Sequence, residues 1–573
     1  MRPVSRLLSL VILLALVCAM SVSAVAQEAT PAEATPSDDA DADLYAAVLP
    51  DQRDGVVAET AGEVPTYRIE ATLDPGGAIP PADGASPVAS PVAGGAPGEE
   101  MPPQSGPPVT VVGTLDLEFI NATGTALAEL YLRLYPNDER YTDGGIELEE
   151  VTVDGTAVEP ELSVGETVAR LALAEPLPDG GSVDVSLGFT TTMVQSFDFF
   201  STMFNYVPET GTISLAHWYP ILAGYDPATG WLLDPVSLNG DLVFSNTALY
   251  DVALTAPADI VVTASGNQVA EDVMGETTRR QFVTGPAREF SVMIDNDFTS
   301  MSREVGGTTV TAWYNPGRVV GAAAVLDAGV QALTLFNELF GTYPYEELDI
   351  VESQMFGAGG IEYPQLIGID MSLWEDPAIQ AEQGFPPGLA EYIVAHEVAH
   401  QWWYGLVGNN HYAHAFIDEG MAEASTIVYF ERIRGEAAAD LHRIVNLSNS
   451  YAFQYALGGD SVVNQPTDAF GDPGAYFASV YSKAGLGFDA LRVEIGDDAF
   501  FAGLSDYTAT HRFDVAAPDD LRAAFEDASG EDLAAFWRGW FETAGDRITV
   551  TVEIDVAATG TPAAATPDAT PTR

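Results

Sequence analysis

The hydrophobic period of this chain changes once, near Gly317, and that change constrains its fold more than any other feature. Before it, between Thr66 and about Thr299, the period is two. The runs 66–73, 109–120, 130–135, 182–190, 240–244 and 250–254 alternate or are apolar, with Asn, Asp and Gly clustered between them. Side chains that alternate across a strand bury one face, so these runs predict a mainly antiparallel β domain. Beyond Gly317 the pattern becomes helical over 322–339, reads as a strand over 348–353, and is helical again over 389–404, 419–434, 441–456, 483–494 and 521–526. The expectation is an α+β multidomain protein, with an N-terminal antiparallel β domain over 65–300 and a mostly helical domain over 301–545. A length of 573 residues suits two or three domains.

The flanks read differently. Arg2 and Arg6 precede an apolar run from Leu7 to Val22, and Ala24-Val25-Ala26 supplies a small-x-small cleavage site. Residues 1–26 are therefore expected to be a signal peptide and the mature protein to be secreted, with free release and cell-surface association both left open. The only cysteine, Cys18, lies inside this leader, so the mature chain is expected to hold no disulfide. The apolar run is short for a spanning helix, which needs about 20 residues, and no later segment is expected to span a membrane. Residues 27–64 read as an acidic, low-complexity linker, 75–108 as a Pro/Gly-rich insertion within a hairpin, and 546–573 as a flexible tail. With 84 acidic against 22 basic residues the formal net charge is −62, a surface that repels phosphate backbones and excludes nucleic acid as a partner. Composition says nothing of oligomeric state.

The chemistry concentrates at His396-Glu397-Val398-Ala399-His400. Pro386-Pro387-Gly388 can start a helix there and Gly405 can end it. Residues four apart share a helical face, so both imidazoles can reach one metal ion. Glu397 then stands beside a water that zinc would acidify to a pKa of about 7, placed to take its proton. A third ligand three residues past a glycine spacer would sit at position 406, which is Leu406. Glu419 lies on the next helical segment and can complete a His-His-Glu set that keeps one coordination position open, as a catalytic site requires. His411 and His414 are rival ligands, and Asp418 or Glu423 could orient a ligand histidine from behind.

His396-Glu397-x-x-His400, eighteen intervening residues and Glu419, together with Gln401-Trp402-Trp403, resemble the aminopeptidase N family of gluzincins, which includes leukotriene hydrolase. Gly359-Gly360-Ile361-Glu362-Tyr363-Pro364 is similar to that family's Gly-x-Met-Glu-Asn exopeptidase motif, with Ile361 for methionine and Tyr363 for asparagine. Tyr476-x-x-x-x-Tyr481-Ser482-Lys483-Ala484 resembles the segment holding its catalytic tyrosine. The resemblance implies a saddle-like β domain followed by a thermolysin-like zinc metallopeptidase domain with one Zn2+ held by His396, His400 and Glu419. It implies Glu397 as general base and Tyr481 as donor to the oxyanion. It further implies that Gly359, Gly360 and Glu362 bind a peptide by its free N-terminal amine. A buried carboxylate facing an ammonium agrees with that role, because it rejects blocked peptides.

The expected activity is therefore removal of N-terminal residues from peptides. A zinc endopeptidase, a hydrolase of non-peptide substrates on the same site, and a secreted binding protein with a vestigial site are the alternatives. The last is disfavoured by the intact set of His396, His400, Glu397, Glu419 and Tyr481.

Overall fold

The computed structural model of the protein describes residues 43–76, 108–141, 144–193, 204–207, 210–226, 229–237, 239–240, 244–355 and 357–545. The expected leader with Cys18, residues 27–42 of the expected linker, 77–107 of the insertion, 241–243 of one expected strand and the tail 546–573 lie outside the described residues.

Alternation in the first half builds an eight-stranded sheet. Along Thr66–Asp74, Tyr67, Ile69, Ala71 and Leu73 are buried while Glu70, Thr72 and Asp74 are exposed, the one-sided burial that a period of two produces. This strand pairs antiparallel with Val109–Ile120, with Asp74 opposite Thr110. Its other edge pairs with Ala248–Pro257 in parallel, Ile69 opposite Val252. Ser182–Met193 and Gly145–Val153 extend the sheet on one side, and Thr277–Ala287 and Asn267–Met274 on the other. Two four-stranded sheets complete the layer around a core that includes Trp218, Tyr219, Tyr250 and Phe290.

Residues 43–64 correct the expected linker. Arg53–Thr60 is a helix, and Ala47, Val48 and Leu49 are buried. Val48 bridges to Tyr345 and belongs to the core of the second domain. The short apolar triplet drives the docking, and the acidic residues around it conceal it in a reading by composition.

The second domain opens with a five-stranded sheet in the order Thr299–Val305, Thr308–Tyr314, Glu347–Ser353, Leu366–Asp370, Gly360–Ile361. The last of these is a two-residue antiparallel edge, with Gly360 opposite Ile369. The helix Val319–Phe340 crosses behind the sheet. By length and composition it is long and apolar enough to span a membrane, which corrects the expectation that no segment beyond the leader qualifies. It is instead a core helix, with Ala322, Val325, Leu326, Ala332, Leu333 and Phe336 buried in the same cluster as Val310 and Ile350 of the sheet. The helices that follow include Leu389–Ala399, Phe416–Arg434, Asn449–Gly458, Ala484–Ile495 and Asp497–His511. Three stretches, Arg443–Ser448, Ala478–Lys483 and Arg538–Glu542, widen into π-helix. Such widening often accompanies functional sites because it re-aims side chains.

Candidate active site

Gly388, with φ of +80°, caps the start of Leu389–Ala399, a left-handed position that its missing Cβ makes cheap. The helix ends at Ala399, five residues before the expected end at 404. There the chain turns tightly, Gly405 N donating to the His400 carbonyl at 2.9 Å and Leu406 N to that of Gln401 at 3.1 Å. The turn has a consequence for chemistry. It brings the Trp403 carbonyl within 3.0 Å of His400 Nδ1, which donates to it. That bond fixes the tautomer and leaves the Nε2 lone pair facing inward.

Inward, three donor atoms converge. His396 Nε2 and His400 Nε2 are 3.1 Å apart, and Glu419 Oε2 lies 3.2 Å from the first and 3.3 Å from the second. Among the described residues this is the one group of three that could hold a metal ion, and all three are buried. The residues fit zinc: ligands about 2.0–2.1 Å from a tetrahedral centre stand roughly 3.3 Å from one another, and two imidazoles with one carboxylate are a catalytic donor set. Glu419 occupies the first turn of Phe416–Arg434, where the helix dipole favours negative charge. Burial opposes charge on every member of the set. Hydrogen bonding to the two imidazoles nevertheless holds the Glu419 carboxyl well below the usual range. In return, hydrogen bonding and charge from Glu419 override the burial of His400 and raise it to about 10.

The triad lines a cleft of about 300 Å³ together with Glu397, Gly359, Gly360, Glu362 and Tyr481. Glu397 and Glu362 are buried. Gly360 is required by the helix opposite: a Cβ there would lie 2.6 Å from the Glu397 carboxylate carbon. Gly359 similarly gives way to Ile393, whose Cδ1 would be 2.8 Å from an added Cβ. Tyr481, on the π-helical Ala478–Lys483, donates its phenol to Glu419 Oε1, and its ring stacks on His396 at 6.0 Å.

The rival ligands lie elsewhere. His411 Nε2 faces Asp418 Oδ2 at 3.1 Å, and His414 Nδ1 meets Asn464 Oδ1 at 2.6 Å. Asp418 also accepts from the Glu419 backbone N–H at 2.7 Å. It is Glu423 that stands behind a ligand, 3.7 Å from His396 Nδ1. Tyr392, one turn before His396, donates its hydroxyl to the other Glu423 oxygen. Sequence reasoning missed Tyr392, although its spacing of four from His396 places it on the ligand face of the helix. It also missed Gly240, Asn446, Ser450 and Phe477, which line the cleft from segments distant in sequence. Tyr476 is buried beneath the cleft, where a Cβ at Gly240 would lie 2.8 Å from its ring.

Residues 324–540 match the Peptidase family M1 domain. Aminopeptidase 2 of Candida albicans is 24% identical over 323 residues, 53% of this chain and 33% of that protein. Aminopeptidase N of Caulobacter vibrioides is 27% identical over 278 residues, 48% of this chain and 31% of its own. The chain thus spans about a third of the length of these relatives. An M1 zinc metallopeptidase from Deinococcus radiodurans shares the fold with a TM-score of 0.57 at 17% identity, over 83% of this chain and 93% of that one. Over residues 324–540, then, the chain is similar to the Peptidase family M1 domain, and over about half of its length to aminopeptidases.

Proposed function

We propose that this protein is a zinc-dependent aminopeptidase that removes residues from the N-terminus of peptides. The observation that carries the reading is one cleft holding the His396, His400 and Glu419 donor triangle, the Glu397 carboxylate and the buried Glu362. A mutant of the Deinococcus enzyme is known with a Tyr-Ser-Ala substrate bound, so a related fold accommodates a tripeptide.

The chemistry a zinc ion supplies at such a site is Lewis acidity, which polarises the scissile carbonyl and acidifies the attacking water. Glu397 accepts the proton of that water and returns it to the leaving amine. Tyr481 steadies the carbonyl oxygen as it gains charge, and its bond to Glu419 Oε1 shows that its hydroxyl reaches the ligand set. The Trp403 carbonyl holds the outer nitrogen of His400, whereas Glu423 faces that of His396 at 3.7 Å, beyond hydrogen-bond reach, and biases it by charge alone. Glu362 receives the substrate's ammonium group, and the Gly359-Gly360 edge strand lets the peptide backbone approach.

The reading includes secretion through the 1–26 leader, for which Arg2, Arg6 and the apolar run to Val22 are the support. N-terminal sequencing of the exported protein should begin at Gln27. The activity is tested with the zinc-loaded protein on one peptide in free and N-acetylated forms, followed by mass spectrometry. Stepwise loss of single residues from the free form alone, abolished by Glu397→Ala, is the expected result. Internal cuts in both forms would replace the aminopeptidase with an endopeptidase, and no cleavage across a varied panel would sink the peptidase reading.

A further inference from the structure

We propose that the exposed apolar face of the Asn449–Gly458 helix binds large apolar side chains of peptide substrates downstream of the bond that is cut. The proposal rests on the peptidase reading and extends it to the class of peptide preferred.

Ser450 of this helix and Asn446 of the π-helical stretch before it line the cleft. Phe453 and Leu457 follow Ser450 by three and seven residues, so they continue the same face outward from the cleft. Both are largely exposed, Phe453 at 67% and Leu457 at 68%. Phe477, which lines the cleft, is 37% exposed and packs its ring 5.0 Å from that of Tyr481. Apolar side chains therefore stand both beside the proposed oxyanion donor and along the helix face that leads outward from Ser450. On the inward face Tyr451 is buried, and its hydroxyl donates to Asp460, so the helix is seated and not mispacked.

Single exposed apolar residues need no explanation, but two in register with cleft-lining residues are not scattered. Charge points the same way. The chain carries 84 acidic residues, yet the ten residues of this helix, NSYAFQYALG, include no charged one. The helix itself offers no charge to an occupant, though Asp472 faces its Gln454 at 3.5 Å, whereas Phe453 and Leu457 offer apolar surface. From Ser450 to Leu457 the helix rises about 10 Å, the length of about three extended residues. Peptides of two or three residues would end inside the cleft, and longer ones would lie over Phe453 and Leu457.

The test uses the full chain carrying Glu397→Gln, loaded with zinc, and a hexapeptide with Leu and Phe in its last four positions. Its counterpart has serine at those positions. Fluorescence anisotropy should show the apolar peptide binding about tenfold tighter than the serine one, and Phe453→Ser/Leu457→Ser should bring the two to near equality. In the active chain the same double variant should lower kcat/KM on the apolar hexapeptide about tenfold, through KM. That loss should exceed the loss on a two-residue amide at least fivefold. Equal losses on both lengths, or an apolar preference that survives the double substitution, would overturn the proposal. Should the parent hydrolyse no peptide, the peptidase reading fails, and the anisotropy comparison decides the surface by itself.

Discussion

Gly360→Ala is the substitution that asks most of the site for the smallest change in covalent structure. Gly360 does not sit at a positive φ, so alanine meets no backbone penalty there. The obstacle is the Glu397 side chain, whose Cγ and Cδ would both be 2.6 Å from the new methyl. Ordinary contact begins near 3.4 Å and the nearest atom, Glu397 Oε1, would lie at 2.3 Å, so the carboxylate or the edge strand must retreat by about 1.1 Å, the difference of the two. A misplacement of about 1 Å in a reacting group can cost on the order of a hundredfold in rate, or about 2.7 kcal/mol of barrier. The expectation is a fall of that size in kcat on a free-amine peptide, with zinc content unchanged, because the atoms nearest the new methyl belong to Glu397 and not to a ligand. Overpacking would cost about 1–3 kcal/mol in stability if the strand moves, and less if the carboxylate rotates, so urea unfolding run beside the kinetics separates the two. Activity within threefold of the parent would refute the reading that this glycine exists to seat the general base.

Three other outcomes are expected. Tyr392→Phe removes the hydroxyl that holds Glu423 behind His396 and should weaken zinc binding about tenfold in chelator competition, while Phe430→Leu, elsewhere in the core, should not. Lys483→Met strips the buried Asp460 of its partner at 2.8 Å and should cost about 3 kcal/mol in urea unfolding, most of it restored by adding Asp460→Asn. Burial, then the charge of Glu347, raise the Asp349 carboxyl from 3.8 to about 8. A carboxyl raised on folding contributes stability that is present below 3.8 and lost as pH rises through about 8. Asp349→Asn should therefore gain about 1–3 kcal/mol over the parent near pH 8 and nothing near pH 4, read from thermal midpoints across that window.

Legibility followed the range of the interactions. The donor triangle is written into one dimension: a spacing of four on one helix, and a carboxylate in the first turn of the next. The hairpin of Thr66–Asp74 and Val109–Ile120 is equally local in character, because alternation alone says which face is buried. The early end of the site helix was hidden, since Gln401-Trp402-Trp403-Tyr404 has an acceptable helical pattern and only tertiary packing breaks it. Trp402 sits against Phe336 and Phe340 of the crossing helix, and Trp403 Nε1 donates to Ser425 Oγ at 2.9 Å. Lys483 is buried among Asp460, the Ser461 carbonyl and the Thr543 carbonyl, partners that no local pattern announces.

The break after His400 also shows what the β domain contributes to chemistry. Tyr404 has φ of +112°, an unfavourable conformation for a bulky residue, so something outside the turn must hold it. That something is Arg288, which follows the β-domain strand Thr277–Ala287 and is buried, at 1% exposure. Its Nε donates to the Tyr404 carbonyl at 2.5 Å, and its Nη2 donates to the carbonyls of Leu406 at 3.3 Å and Asp514 at 2.5 Å. Gly408 completes the cradle, since a Cβ there would come within 2.6 Å of Arg288 Nε. A buried guanidinium is costly unless its donors are satisfied, and here carbonyls of the second domain supply acceptors that water would otherwise provide. The same turn carries the Trp403 carbonyl that sets the His400 tautomer. The orientation of a proposed metal ligand therefore depends on a side chain from the other domain. The β domain is part of the site's framework, since its Arg288 braces the turn that carries the Trp403 carbonyl.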